Sequence, residues 1–81
     1  MKAKVHVTLK QGVLDPQGKA VENSLNSLGF SGINGVRQGK YIEIDLDGSD
    51  AEKARSDVES MCKKLLANTV IENYDIEFVE G

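Results

Sequence analysis

Two side chains in this sequence are reactive by type, His6 and Cys62, and each is the only one of its kind. Histidine alone changes charge near neutrality without help from its surroundings, so His6 is the first candidate for general acid-base work. Cys62 is the candidate nucleophile or soft metal ligand. Such chemistry needs several groups converging on one point, a nucleophile, a base and something to orient the base. His6 sits in the middle of an alternating run, on its polar side, where Glu43 or Asp75 from neighbouring strands could orient it but no nucleophile or cleft is in view. Cys62 falls on or beside the apolar stripe of a helix, where a buried thiol behaves as a small hydrophobe. One cysteine and one histidine exclude an internal disulfide, a CxxC motif and a Cys/His metal cluster. The glycines Gly12, Gly18, Gly29, Gly32, Gly35 and Gly39 match neither GxGxxG nor GxxxxGK[ST], so they read as turn residues and not as a phosphate loop. No cofactor is expected.

Composition narrows the partners. Among 81 residues, thirteen acidic and ten basic side chains leave a net charge of −3, which is not the footprint of a phosphate-backbone binder. Nucleic acid is therefore not expected. Met1-Lys2-Ala3-Lys4-Val5-His6 alternates from its start and offers no apolar core for a signal peptide. No apolar run approaches the ~20 residues that cross a bilayer. The expectation is a single domain over residues 1–81, soluble and cytoplasmic, with no membrane partner. A core this small gives only ~3 to 5 kcal/mol, so self-association is expected on physical grounds.

The elements that must position any site follow from periodicity. Lys2 to Lys10 alternates, with Ala3, Val5, Val7 and Leu9 on one face, and predicts a half-buried strand. Asp15-Pro16 predicts a helix start, a carboxylate cap followed by a ring preset for the first helical position. Its stripe is Val21, Leu25 and Leu28, and Gly29 suits the left-handed stop. Short extended pieces follow around Ile33 to Arg37 and over Tyr41 to Asp47, joined by a hairpin at Gln38-Gly39, with Ile42, Ile44 and Leu46 inward. Ser49-Asp50-Ala51-Glu52 matches a capping box ahead of a long helix with Ala51, Ala54, Val58, Met61 and Leu65 as its stripe. Tyr74, Ile76 and Phe78 face one way along a last strand.

The order βαββαβ predicts an α+β fold, the ferredoxin-like sandwich, with a four-stranded antiparallel sheet and two helices on one face. Fold leaves function open. A heavy-metal domain of this shape needs a CxxC in its first loop, and an acylphosphatase-like enzyme needs an arginine in the loop after strand one; Gln11 to Asp15 has neither. An RNA-recognition motif stacks bases on sheet-face aromatics, and only Tyr41 stands there. From the residues, an acylphosphatase-like enzyme and a small-molecule regulatory domain remain as alternatives to an assembly subunit.

Three stretches resemble the PurS family. Val7 to Gly18 contains Gly12-Val13-Leu14-Asp15-Pro16-Gln17-Gly18, similar to that family's GVLDPQG loop. Leu28-Gly29-Phe30 and Val36-Arg37-Gln38-Gly39-Lys40 resemble its LGF and VR-x-GK signatures. Met61 to Tyr74 resembles its LLANPVIE-x-Y segment, with Thr69 where the family carries proline. The resemblance spans almost the whole chain and implies a non-catalytic subunit of phosphoribosylformylglycinamidine (FGAM) synthase. In that family PurL carries out the ATP-dependent amidation, PurQ releases ammonia from glutamine, and PurS bridges the two as a homodimer that can pair further into a dimer of dimers. The candidate partner-binding residues are Gly12, Val13, Leu14 and Asp15, Arg37 and Lys40, and Asn68 and Tyr74, since loops on a rigid frame commonly carry recognition. Each also has a local reading: Asp15 as a helix cap, the glycines as turns, Tyr74 as core.

Overall fold

The computed structural model describes residues 1–48 and 50–79. Strand β1 (Lys2–Leu9) is central, paired antiparallel with β2 (Gly39–Asp45) on one side and β3 (Glu72–Val79) on the other. Helix α1 (Pro16–Ser27) lies between β1 and β2, and α2 (Ala51–Met61) runs on into a π-helical turn (Cys62–Leu66) before β3. Alternation sets the register: Val5 faces Ile42 and Ile76 across the ladders, and His6 faces Tyr41 and Asp75. Ala3, Val5, Val7, Val58, Cys62 and Ala67 form the fully buried core, with Ile42, Ile44, Tyr74, Ile76 and Phe78 half-buried against it. The covered face of the sheet thus meets α2 and the turn that follows it.

The sheet has three strands and not the expected four, which leaves a ferredoxin-like sandwich unconfirmed. Ile33 to Arg37 lies outside the sheet, and Gln38-Gly39 makes no hairpin because Gly39 already belongs to β2, opposite Thr8. A long-range tie and the composition of the segment together account for this. Gln38 donates its backbone N–H to Asp15 Oδ2 at 3.0 Å, and Gly32, Asn34 and Gly35 disfavour a pleated ladder.

Helix α1 forms as its sequence dictates. Asp15 caps it, accepting from the Gly18 N–H at 2.9 Å, with Pro16 at the first position. It ends at Gly29 (φ +95°), where the Phe30 N–H reaches back to the Leu25 carbonyl at 3.2 Å, a wrap that requires a left-handed residue. The expectation that Val21, Leu25 and Leu28 join the core is overturned. None of the three belongs to the buried core among the described residues, and Val21, Leu28 and the following Phe30 are 39%, 74% and 58% exposed. With residues 30–38 it forms an arm projecting beyond the sheet. The molecule measures 49 × 28 × 15 Å with a radius of gyration of 16.1 Å, against about 12 Å for a compact chain of this length.

Two corrections apply to α2. Its cap is Asp50, whose carboxylate accepts from the Glu52 and Lys53 N–H groups; Ser49, the expected cap, lies outside the described residues. Leu65, placed on the core stripe, is 82% exposed. The π turn carries more residues per turn than an α-helix and so rotates the following side chains. Cys62 and Leu66 face inward in its stead.

Candidate docking site

The loop after β1, the start of β2 and the segment before β3 meet at one end of the sheet, tied by hydrogen bonds. Val13 N–H donates to the Lys10 carbonyl at 3.2 Å, closing a turn in which Gly12 takes φ +84°. Lys10 N–H donates to the Ile71 carbonyl at 2.8 Å, joining this loop to the segment leading into β3. Asp15 is the hub, because its two carboxylate oxygens hold the first turn of α1 and the backbone of Gln38 together. Those N–H bonds, from Gln38 first and Gly18 next, hold its carboxyl below the usual range.

The two cations expected to be free for a partner each donate to a carbonyl of the chain itself while staying exposed. Arg37 donates its guanidinium to the Leu9 carbonyl, and Lys40 Nζ donates to the Leu66 carbonyl at 3.2 Å. Arg37 therefore ties the arm to the end of β1, and Lys40 ties β2 to the end of the π turn. Asn68 works the same way. Its side-chain oxygen accepts from Val70 N–H at 3.2 Å, its own N–H donates to Glu72 Oε1 at 2.7 Å, and its carbonyl accepts from Ile71 and Glu72. Tyr74 is half-buried against the core, opposite Val7.

Of the eight candidates, Val13, Leu14, Asp15 and Arg37 line one open cleft of ≈ 470 Å³. Asp15 and Lys40 border a second, lined also by Gln38 and Glu72. Gly12 and Asn68 shape the adjoining turns, and Tyr74 lies beneath. Sequence reasoning missed the apolar groups that the same segments display: Leu65 and Val70 stand exposed, as Leu14 does. Their side chains follow an irregular turn and a loop, where periodicity carries no information.

Nothing at this end pairs a base with a nucleophile. His6 lies on the open polar face, its ring 4.8 Å from that of Tyr41. Beside it Lys2 contacts Glu43 at 3.1 Å, and the Glu43 carboxyl is held low by Lys2 first and by the Tyr41 hydroxyl next. Burial pushes the Cys62 thiol up, towards its neutral form. Among the described residues no group of three His, Cys, Asp or Glu could hold a metal ion, and no helix is long and apolar enough to cross a membrane. The arrangement offers a stiff, internally satisfied surface with apolar tips, suited to recognition by shape.

Comparison with known proteins gives a consistent family. The profile of PurS, phosphoribosylformylglycinamidine (FGAM) synthase, matches residues 2–80. The FGAM synthase subunit PurS of Synechocystis sp. is 50% identical over 96% of this chain and 80% of its own length. A crystal structure of Bacillus subtilis PurS superposes with a TM-score of 0.83 at 50% identity, covering 94% of each chain. A chain of the PurLQS structure from Thermotoga maritima does so with a TM-score of 0.85 at 31% identity, covering 94% of this chain and 93% of that one.

Proposed function

This chain belongs to the PurS family, as a subunit of FGAM synthase in purine biosynthesis, and we propose that it is the docking piece holding PurL and PurQ in register. The observation that carries this reading is the likeness to a chain of an assembled PurLQS complex. The site geometry supports it. Arg37, Lys40, Asp15 and Asn68 each make a hydrogen bond to the chain's own backbone, which helps to fix a surface.

The subunit surface consists of Gly12, Val13, Leu14, Asp15, Arg37, Lys40 and Asn68, with Tyr74 supporting it from below. PurQ frees ammonia from glutamine and PurL adds it to an ATP-activated amide. Ammonia that escapes into water takes up a proton and loses the lone pair it needs for attack. A subunit that keeps the two enzymes aligned, and helps shield the path between them, raises the fraction that arrives unprotonated. The subunit acts in the cytoplasm as a homodimer, able to pair further into a dimer of dimers.

Reconstitution tests this. PurL and PurQ are assayed for FGAM formation with glutamine and, separately, with ammonia, in the presence and absence of this chain. Glutamine-driven synthesis is expected to depend on the chain and ammonia-driven synthesis is not. Leu14→Asp, at a side chain 81% exposed, is expected to weaken the glutamine-driven rate without unfolding the protein. Full glutamine-driven synthesis in the chain's absence would overturn the reading.

A further inference from the structure

Where α2 runs into the π turn, two adjacent leucines compete for one place. Continued as an α-helix at ~100° per residue, Leu65 would point within ~20° of the buried Val58 and Leu66 would lie ~80° off. The structure does the reverse. Leu66 packs against the core and Leu65 is 82% exposed. The Ala67 N–H reaches past the α-helical partner to the Cys62 carbonyl at 2.9 Å, and the wider turn rotates both side chains. Lys40, donating from β2 to the Leu66 carbonyl, and the buried Ala67 hold that arrangement in place.

A lone exposed leucine is ordinary on a folded protein, but this one has company. Val70, in the loop that follows, is 81% exposed, and the backbone between the two is tied down. Asn68 accepts from the Val70 N–H at 3.2 Å and from the Ile71 N–H at 3.0 Å, and its own N–H donates to Glu72 Oε1 at 2.7 Å. Apolar tips on a backbone already ordered lose little freedom on binding. Charge marks the same segment. From Ser60 to Ile71 the chain carries Lys63 and Lys64, both exposed, and no acid, although acidic side chains outnumber basic ones thirteen to ten overall. Neither Leu65 nor Val70 lines the cleft beside Leu14 and Arg37. π turns within helices are frequent at functional sites.

We propose that the π turn serves to present Leu65, with Val70 and the flanking Lys63 and Lys64, as a second docking surface, whose partner is an apolar hollow rimmed by carboxylates on a catalytic subunit of FGAM synthase. This rests on the subunit role proposed above and deepens it, since a piece that holds two enzymes in register needs two surfaces and the cleft beside Leu14 supplies one. Leu65 fills the hollow. The two ammonium groups meet the carboxylates at its rim, where they guide the approach more than they tighten the hold.

The test titrates the full chain into PurL and PurQ and reads glutamine-driven FGAM formation against its concentration, with ammonia-driven synthesis as the control. Leu65→Asp is expected to raise the half-saturating concentration at least ~tenfold, as for a buried interface anchor. Lys63→Glu combined with Lys64→Glu, at exposed positions clear of the core, is expected to raise it too, by less as salt is added. An unchanged half-saturating concentration for either variant would overturn the proposal. So would a lower mass of the free Leu65→Asp chain by light scattering, which would place Leu65 between two copies. In either case a chain still required for glutamine-driven synthesis leaves the subunit role standing, so the two readings fail separately.

Discussion

Helices α1 and α2 have similar lengths, each is capped by an aspartate, and each carries one apolar stripe, yet they end in opposite environments. On α2, Val58 is fully buried and Cys62 lies just beyond it in the π turn, also buried, both against Ala3, Val5 and Val7. On α1 the corresponding Val21 and Leu28 face outward. The stripes are alike and the anchors differ. A turn at Lys10 to Val13 and the doubly bonded Asp15 carboxylate fix the direction in which α1 leaves β1, whereas α2 is carried back over the sheet by the loop after β2. An amphipathic pattern states that a face must be covered, and the connecting segment decides by whom.

The sharpest way to break that comparison is the same substitution on both helices. Val58→Ala removes two methyl groups from a closed core and leaves a cavity, so a loss of about 2 to 3 kcal/mol is expected. For a chain of this size that lowers the melting temperature by roughly 10 °C or more. The loss should be the same at every protein concentration. Val21→Ala is expected to cost less than about 0.5 kcal/mol in dilute solution, as at an exposed site, and to lower stability further only at concentrations where chains pair. Equal effects at low concentration would mean that α1 is packed on its own sheet after all.

A smaller effect tests the base of the arm. In an open helix Gly→Ala stabilises by up to about 1 kcal/mol. At Gly18 a methyl would meet the Val36 carbonyl and the Asp15 carboxylate, and overpacking of that kind costs about 1 to 3 kcal/mol. Gly18→Ala is therefore expected to be net destabilising by about 1 kcal/mol in chemical denaturation, with the shift localised by NMR to residues around Asp15 and Gln38. A stabilised variant would show that the arm is not pinned there.

That glycine also marks where sequence reading ends. Its helical position was legible, but the reason for it was not, because Val36 is eighteen positions away and approaches only through the bond between Asp15 and Gln38. Strand β1, the inward set Ile42, Ile44 and Leu46, the Asp15-Pro16 start of α1 and its Gly29 stop are short-range patterns, and each formed where periodicity and capping chemistry put it. The missing fourth strand, the detached α1 and the outward Leu65 depend on long-range ties or on a π turn that no local spacing announces. The candidate site divides the same way. Its loops could be chosen from the motif set, while the bonds from Arg37 and Lys40 to the carbonyls of Leu9 and Leu66 could not.

The smallest predicted effect separates the two regions by acid. Asp15 has a folded-state pKa below its ordinary value because Gln38 and Gly18 donate to the charged form. Its contribution is fully present above the ordinary carboxylate pKa of ~3.9 and is lost as pH falls through the lower, folded value. Acid should therefore release the arm's base, while the sheet core, with no buried polar or charged side chain among the described residues, should hold. Glu43 is also held low, chiefly by Lys2, but that pair is half exposed and adds little to either region. In an NMR titration the Gln38 and Gly18 amides are expected to shift together, at a pH below the ordinary carboxylate range, before the amides of β1 do. Asp15→Asn, which keeps one acceptor oxygen and loses the charge, should abolish that early step. Simultaneous loss of arm and sheet signals in the unsubstituted protein would instead make them one cooperative unit, and the carboxylate hinge between them would have no separate existence.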